Sequence, residues 1–180
     1  MKKPSGILSY SMQEATATTD LGTKHIVSYL TKRADTKKIV NVEADAEYRK
    51  KDIDLLWHRS VNGTEKIYSV EVKVDNYFRT GNYFLETISN VEKGTPGCFM
   101  YSEAHYLFYY FLRVELHIMQ LAHVRSWFQP KMTTFVAKRT STPVGNGFYQ
   151  TEGRLVNREL LQSGVPNSVV VVKYQGLWND

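Results

Sequence analysis

An α/β (α+β) domain, with a central mixed β-sheet flanked by helices, is the fold class this sequence predicts, and three observations predict it. Asn62-Gly63 sits between two β-rich runs, and a tight type I′ hairpin needs positive φ at both central residues, which Asn and Gly supply. The N-terminal segment carries apolar residues at helical spacing. Further β-rich runs then alternate with short helical ones, and no Pro/Gly/Ser-rich linker or charge block interrupts them, so residues 1–180 read as one domain.

The first helix is expected up to Arg33. Ser11-x-x-Glu14 reads as a capping box, and Ala15, Ala17, Leu21, Ile26, Val27, Tyr29 and Leu30 follow the helical repeat, with Gly22 weakening the middle. Lys38 to Ala44 is the first strand, leading through Glu47-Tyr48-Arg49-Lys50-Lys51 into the hairpin. The hairpin runs are Asp52–Trp57 and Ile67–Val74. After a polar loop from Asp75 to Gly81, Asn82 to Ser89 forms a third strand. Phe99 to Phe111 is dense in aromatic residues, which suit core packing and, as the alternative, stacking on bases. Ser102-Glu103 is placed to start a short helix there. Val114–Leu121 follows as a strand, His123–Gln129 as a helix ended by Pro130, and Lys131–Lys138 as a strand. Asn157–Gln162 is a helical turn stopped by Ser163-Gly164, and Ser168–Tyr174 is the last strand.

The hairpin carries the chemistry. If Asn62 and Gly63 are the turn residues, Val61 pairs with Thr64, and counting outward sets Asp54 against Glu71 and Asp52 against Lys73. Alternation puts those four on one face and Ile53, Leu55, Val70, Val72 and Val74 on the other, apolar face. Two directly opposed carboxylates repel unless a proton or cation lies between them. A divalent ion such as Mg²⁺ takes carboxylates together with phosphate oxygens and waters. Lys73 beside the pair is placed to orient a water or to stabilise charge on a phosphate. The plain alternative is a solvated hairpin of mixed charge.

Asp54-Leu55-Leu56-Trp57, a turn, and then Val70-Glu71-Val72-Lys73 resembles the PD-(D/E)xK nuclease superfamily, with Ile53 in place of the proline of its name. The resemblance implies a restriction-endonuclease-like fold and a Mg²⁺-dependent DNA endonuclease, with Mn²⁺ as a substitute ion. It implies Asp54, Glu71 and the Val72 carbonyl as metal ligands, and Lys73 as the water-positioning base or electrostatic helper. It also implies an acid from the N-terminal helix, for which Glu14 and Asp20 are both candidates. Glu86, in the third strand, is either a further acid of the site or a residue on the wet side of the sheet. Arg49, Lys50, Lys51 and Arg79 are candidates for contacts to the DNA backbone, with solvated surface as their alternative. The rival reading is a catalytically silent nuclease-like module that holds nucleic acid or protein, and either reading allows a homodimer.

Composition sets the bounds. A formal charge of +5 with pI near 9.2 permits phosphate binding without demanding it. Cys98 is the only cysteine, which excludes an intramolecular disulfide and a multi-cysteine zinc site. No signal-peptide-like or membrane-spanning stretch is visible, so a reducing cytoplasmic setting is expected. The phosphate-loop, dinucleotide-fingerprint and His-Glu-x-x-His motifs are absent.

Overall fold

The hairpin forms in the predicted register. Asn62 and Gly63 take φ of 51° and 78°, and strand β2 (Leu55–Val61) pairs antiparallel with β3 (Thr64–Asp75) from Val61–Thr64 through Leu55–Val70. In the computed structural model, which describes residues 12–144 and 147–175, this hairpin lies at the centre of a mixed α/β fold. β1 (Thr36–Asn41) flanks β2, while β6 (Tyr106–Phe111) runs parallel to β3. β7 (Glu115–Gln120) and β10 (Val169–Lys173) complete a six-stranded sheet in the order β1-β2-β3-β6-β7-β10.

A second sheet of four strands, in the order β5-β4-β9-β8, is antiparallel throughout. It comprises β4 (Asn82–Asn90), β5 (Thr95–Pro96), β8 (Val136–Val144) and β9 (Gly147–Asn157). The expected third strand at Asn82 therefore exists, but in the second sheet. Lys131 is not in a strand: Gln129–Thr134 is a 3-10 turn with Pro130 at its start, closed by Thr134 Oγ1 donating to Lys131 O at 2.7 Å, and β8 begins only at Val136.

Both faces of the six-stranded sheet are buried at its middle. On one, Leu55, Trp57, Val70, Val72, Phe108, Tyr110 and Leu116 pack with Ile26 and Leu30 of α1 (Met12–Thr31). Gly22 allows this approach, because a Cβ there would stand 2.4 Å from a methyl of Val74. The residue that weakens the helix by propensity is the one that lets it lie close on β3. On the other face, Leu107, Tyr109, Phe111 and Met119 pack with Tyr83 and Leu85 of β4, Val156 of β9, and Val124 and Phe128 of α4 (Leu121–Phe128). The aromatic run of β6 is thus core on both sides, as a central strand with a parallel neighbour requires. Short helices α2 (Ala46–Lys50), α3 (Cys98–Tyr101) and α5 (Arg158–Gly164) fill the connections. Ser102 ends α3 and does not start a helix. Among the described residues, no helix is long and apolar enough to cross a membrane.

Candidate metal centre

The centre is built where β2 peels away from β3. Asp52 takes a left-handed φ of 55°, and the Ile53 amide donates back to Tyr48 O at 3.1 Å, so the extended ladder stops at Leu55. Ile53 consequently packs with Leu107, Tyr109 and Phe111 on the face opposite Leu55, against the expected alternation. Asp54 does not stand across from Glu71 as a ladder partner. Its amide donates to Val70 O at 2.9 Å, and its Oδ2 accepts the Val72 amide at 2.8 Å. The carboxylate thereby takes the place of the departed strand at the β3 edge. An extended residue turns its N–H and C=O to the same edge, so the Val72 carbonyl shares that edge with Asp54.

Glu71, Lys73 and Asp75 lie on the face of Leu107, Tyr109 and Phe111, their partners in the parallel pairing. That face is covered by the second sheet, so Glu71 is only 8 % exposed. Its carboxyl shares a hydrogen bond with Asp54, and its Oε2 has no partner. Asp52 Oδ2 is equally unpartnered, and ligand atoms of Asp52, Glu71 and Cys98 all lie within 4.8 Å of one another. Cys98 reaches this point because Gly97 lies flat on β4, where a Cβ would stand 2.5 Å from Glu86 O. The segment is clamped by Arg125, which donates to Phe99 O at 2.9 Å and to Ser102 O at 2.8 Å, while Ser102 Oγ donates to Asp52 O at 2.9 Å. A cavity of about 10 Å³, lined by Glu71, Lys73, Glu86 and Cys98 among others, lies between the sheets. That is close to the least room a single water needs.

Burial raises Asp52, Asp54 and Glu71. It pushes the Glu71 carboxyl well above its ordinary range, with Asp54 and Asp52 adding repulsion and Lys73 opposing. Asp52 is pushed up to about 6, first by burial and then by Asp54. Asp54 is raised by burial against the opposing Val72 amide. Burial alone would lower the Lys73 ammonium, but Cys98, Glu86, Glu71 and Asp75 together hold it above its usual value, so it is a cation at neutral pH. The Cys98 thiol is pushed far up by burial, with Lys73 opposing. A site that strains toward protonation of two or three carboxyls is one in which a cation would replace protons.

Of the residues singled out from sequence, Asp54, Glu71, Val72 and Lys73 come together, and Glu86 joins them: its Oε1 accepts the Cys98 amide at 3.4 Å. Asp20 does not line the cavity. It is exposed on α1, and its charge is felt at Glu43, which also feels Asp54. Ser11 lies outside the described residues, as does the side chain of Glu14. Asp52 does not oppose Lys73 in a ladder; it belongs to the centre itself. Arg49, Lys50, Lys51 and Arg79 are exposed, with Lys50 paired to Glu47 at 2.8 Å and Lys51 to Glu103 at 3.7 Å. Cys98 carried no signal in the sequence beyond being the sole cysteine. On the far side of Lys73, a cleft of about 390 Å³ runs past Asp75, Tyr77, Asn82 and Lys138.

No protein-family model matches the chain, and no curated protein or solved structure is significantly similar to it.

Proposed function

We propose that this protein is a divalent-metal-dependent DNA endonuclease, with Asp54, Glu71 and the Val72 carbonyl holding Mg²⁺ or Mn²⁺. The observation that carries this reading is Glu71: a buried carboxyl with an unpartnered oxygen, set among two further acids and one lysine. The resemblance of the Asp54…Glu71-Val72-Lys73 arrangement to the PD-(D/E)xK superfamily supports it, as do the hairpin and the helix packed beside it. When bound, the ion would supply charge neutralisation at the phosphate and a more acidic water. The chain's own residues do the rest. Asp54 is held by the Val72 amide and fixes one ligand position. Lys73, protonated and lining both the acid cavity and the 390 Å³ cleft, is suited to hold a phosphate oxygen or aim a water, and unsuited to accept a proton. The cleft, with Lys138 on its wall, is the route by which a phosphodiester would reach Lys73.

The small volume between the sheets favours a second reading, in which the domain binds nucleic acid or protein without cutting. Plasmid and linear DNA incubated with Mg²⁺ or Mn²⁺ separate the two. Cleavage by wild type, lost in Glu71→Gln and Lys73→Ala, is expected. Equal cleavage by all three proteins would sink the mechanism, and DNA retention without cleavage would favour the silent module.

A further inference from the structure

We infer that Asp52, Glu71 and Cys98 form a binding site for a thiophilic divalent cation of the Zn²⁺, Co²⁺ and Cd²⁺ class, with the Cys98 sulfur as a direct ligand. This builds on the metal-site reading above, but its test reads the metal–sulfur bond and not DNA cleavage, so either can fail alone.

Three observations carry it. The donor atoms come from three separate segments, the turn before β2, strand β3 and the start of α3, yet all lie within 4.8 Å of one another. Ligands around a tetrahedral zinc, at about 2.0 to 2.3 Å from the ion, stand roughly 3.5 Å apart, so the donors already stand near the spacing an ion needs. Next, each of the two carboxylates in this cluster has an unpartnered, inaccessible oxygen, and Glu71 is more than nine-tenths buried at 8 % exposed. Buried polar atoms are nearly always paired, and Lys73, the cation that acts on both acids, leaves these two oxygens without a partner. Finally, the sulfur is held there by backbone: Gly97 packs on Glu86, Arg125 holds the carbonyls of Phe99 and Ser102, and Ser102 holds Asp52.

The donor set then selects the ion. Oxygen ligands alone suit Mg²⁺, whereas a thiolate beside two carboxylates suits a borderline or soft ion. Three protein ligands with a fourth position open is also the pattern of zinc sites that do chemistry. Loading is a plain ligand exchange: the ion sheds waters, the Cys98 sulfur gives its proton to solvent as the metal–sulfur bond forms, and nothing is oxidised or reduced.

Because Cys98 is the only cysteine, Co²⁺ is a clean probe. Metal-stripped full-length protein titrated with Co²⁺ is expected to develop a near-ultraviolet thiolate-to-cobalt charge-transfer band, saturating at one equivalent. Cys98→Ser should lose the band and bind Zn²⁺ at least the roughly 10- to 100-fold more weakly that even an outer-shell change costs a metal site. X-ray absorption of the wild-type Zn²⁺ form should show a sulfur at about 2.3 Å, a readout that does not depend on a variant folding. Co²⁺ binding without the band, a band that survives in Cys98→Ser, or an oxygen-and-nitrogen-only zinc shell would each overturn the proposal.

Discussion

Two buried polar clusters lie on the same face of the central sheet, and they handle buried charge in opposite ways. Around Glu115, every group has its partner. Tyr83 Oη donates to His117 Nδ1 at 2.5 Å, and Gln162 Nε2 donates to Tyr83 Oη at 3.0 Å. His117 Nε2 donates to Glu115 Oε1 at 2.9 Å, while Arg158 and Lys173 each approach the same carboxylate at 3.5 Å. Burial holds His117 below its ordinary value, so it is neutral and needs no further counter-charge. Around Glu71 the balance is reversed, with Asp52, Asp54 and Glu86 close by, one lysine to answer them, and two carboxylate oxygens unpartnered. A satisfied network specifies packing, whereas an unsatisfied one stores a cost that a proton or a cation can relieve. The first cluster is a joint; the second is the one the proposed metal would complete.

That contrast breaks most sharply on Glu71. Glu71→Gln should lower metal-dependent cleavage by on the order of 10³-fold, about 4 kcal/mol of transition-state stabilisation, measured on plasmid DNA. The same change should raise the melting temperature of the metal-free protein, since it removes a strained acid. Glu115→Gln should do the reverse. It leaves Arg158 without its counter-charge and should cost about 3 kcal/mol in urea unfolding, with cleavage per folded molecule unchanged. If both variants behaved alike, the two clusters would not differ in kind.

Two intermediate effects sharpen the comparison. Gly97→Ala would drive a Cβ into the Glu86 backbone, and overpacking of this kind costs about 1 to 3 kcal/mol. It should weaken metal binding more than it disturbs the Glu115 cluster, read by calorimetric titration beside thermal melting. The pH dependence follows from Asp52, whose folded value is raised to about 6. A raised acid contributes stability that is complete below its unfolded value and lost as pH rises through the folded one. Metal-free protein should therefore lose about 2 kcal/mol as pH climbs from roughly 4 to 7, and Asp52→Asn should flatten that slope in urea melts. Smallest is the exposed Lys50–Glu47 pair. Lys50→Ala should shift stability by no more than about 0.5 kcal/mol, which serves as the baseline for the others.

How much of this was legible follows from which forces act locally. The turn was legible because Asn62-Gly63 has a local conformational demand, and once it was placed the register followed as far as Leu55. What alternation could not reveal is where β2 leaves β3. That point depends on the left-handed Asp52 and on the hold of Tyr48 O on the Ile53 amide, contacts set by tertiary packing. So alternation places Glu71 and Lys73 on the correct face but puts Ile53 on the wrong one, and it sets Asp52 against Lys73 in a ladder that ends at Leu55. The run from Tyr106 to Phe111 was readable as core, but not as core on both faces, because that requires knowing of the second sheet. β9 carries little apolar pattern, since Gln150, Glu152 and Arg154 interrupt it. Cys98 belongs to the centre only through distance, and no spacing rule connects it to residues so far upstream.

The position of Gly97 on β4 has a mechanical consequence. Glu71 belongs to one sheet, and Cys98 hangs from the other. An ion held by both would act as a removable cross-link between the two layers, shortening the free loop between them much as a disulfide does, yet reversible by a chelator. Amide protons of β4 and the Asp52 turn should then exchange together, slowly with the ion in place and quickly without it, so that the grip of one sheet on the other is set by the metal supply.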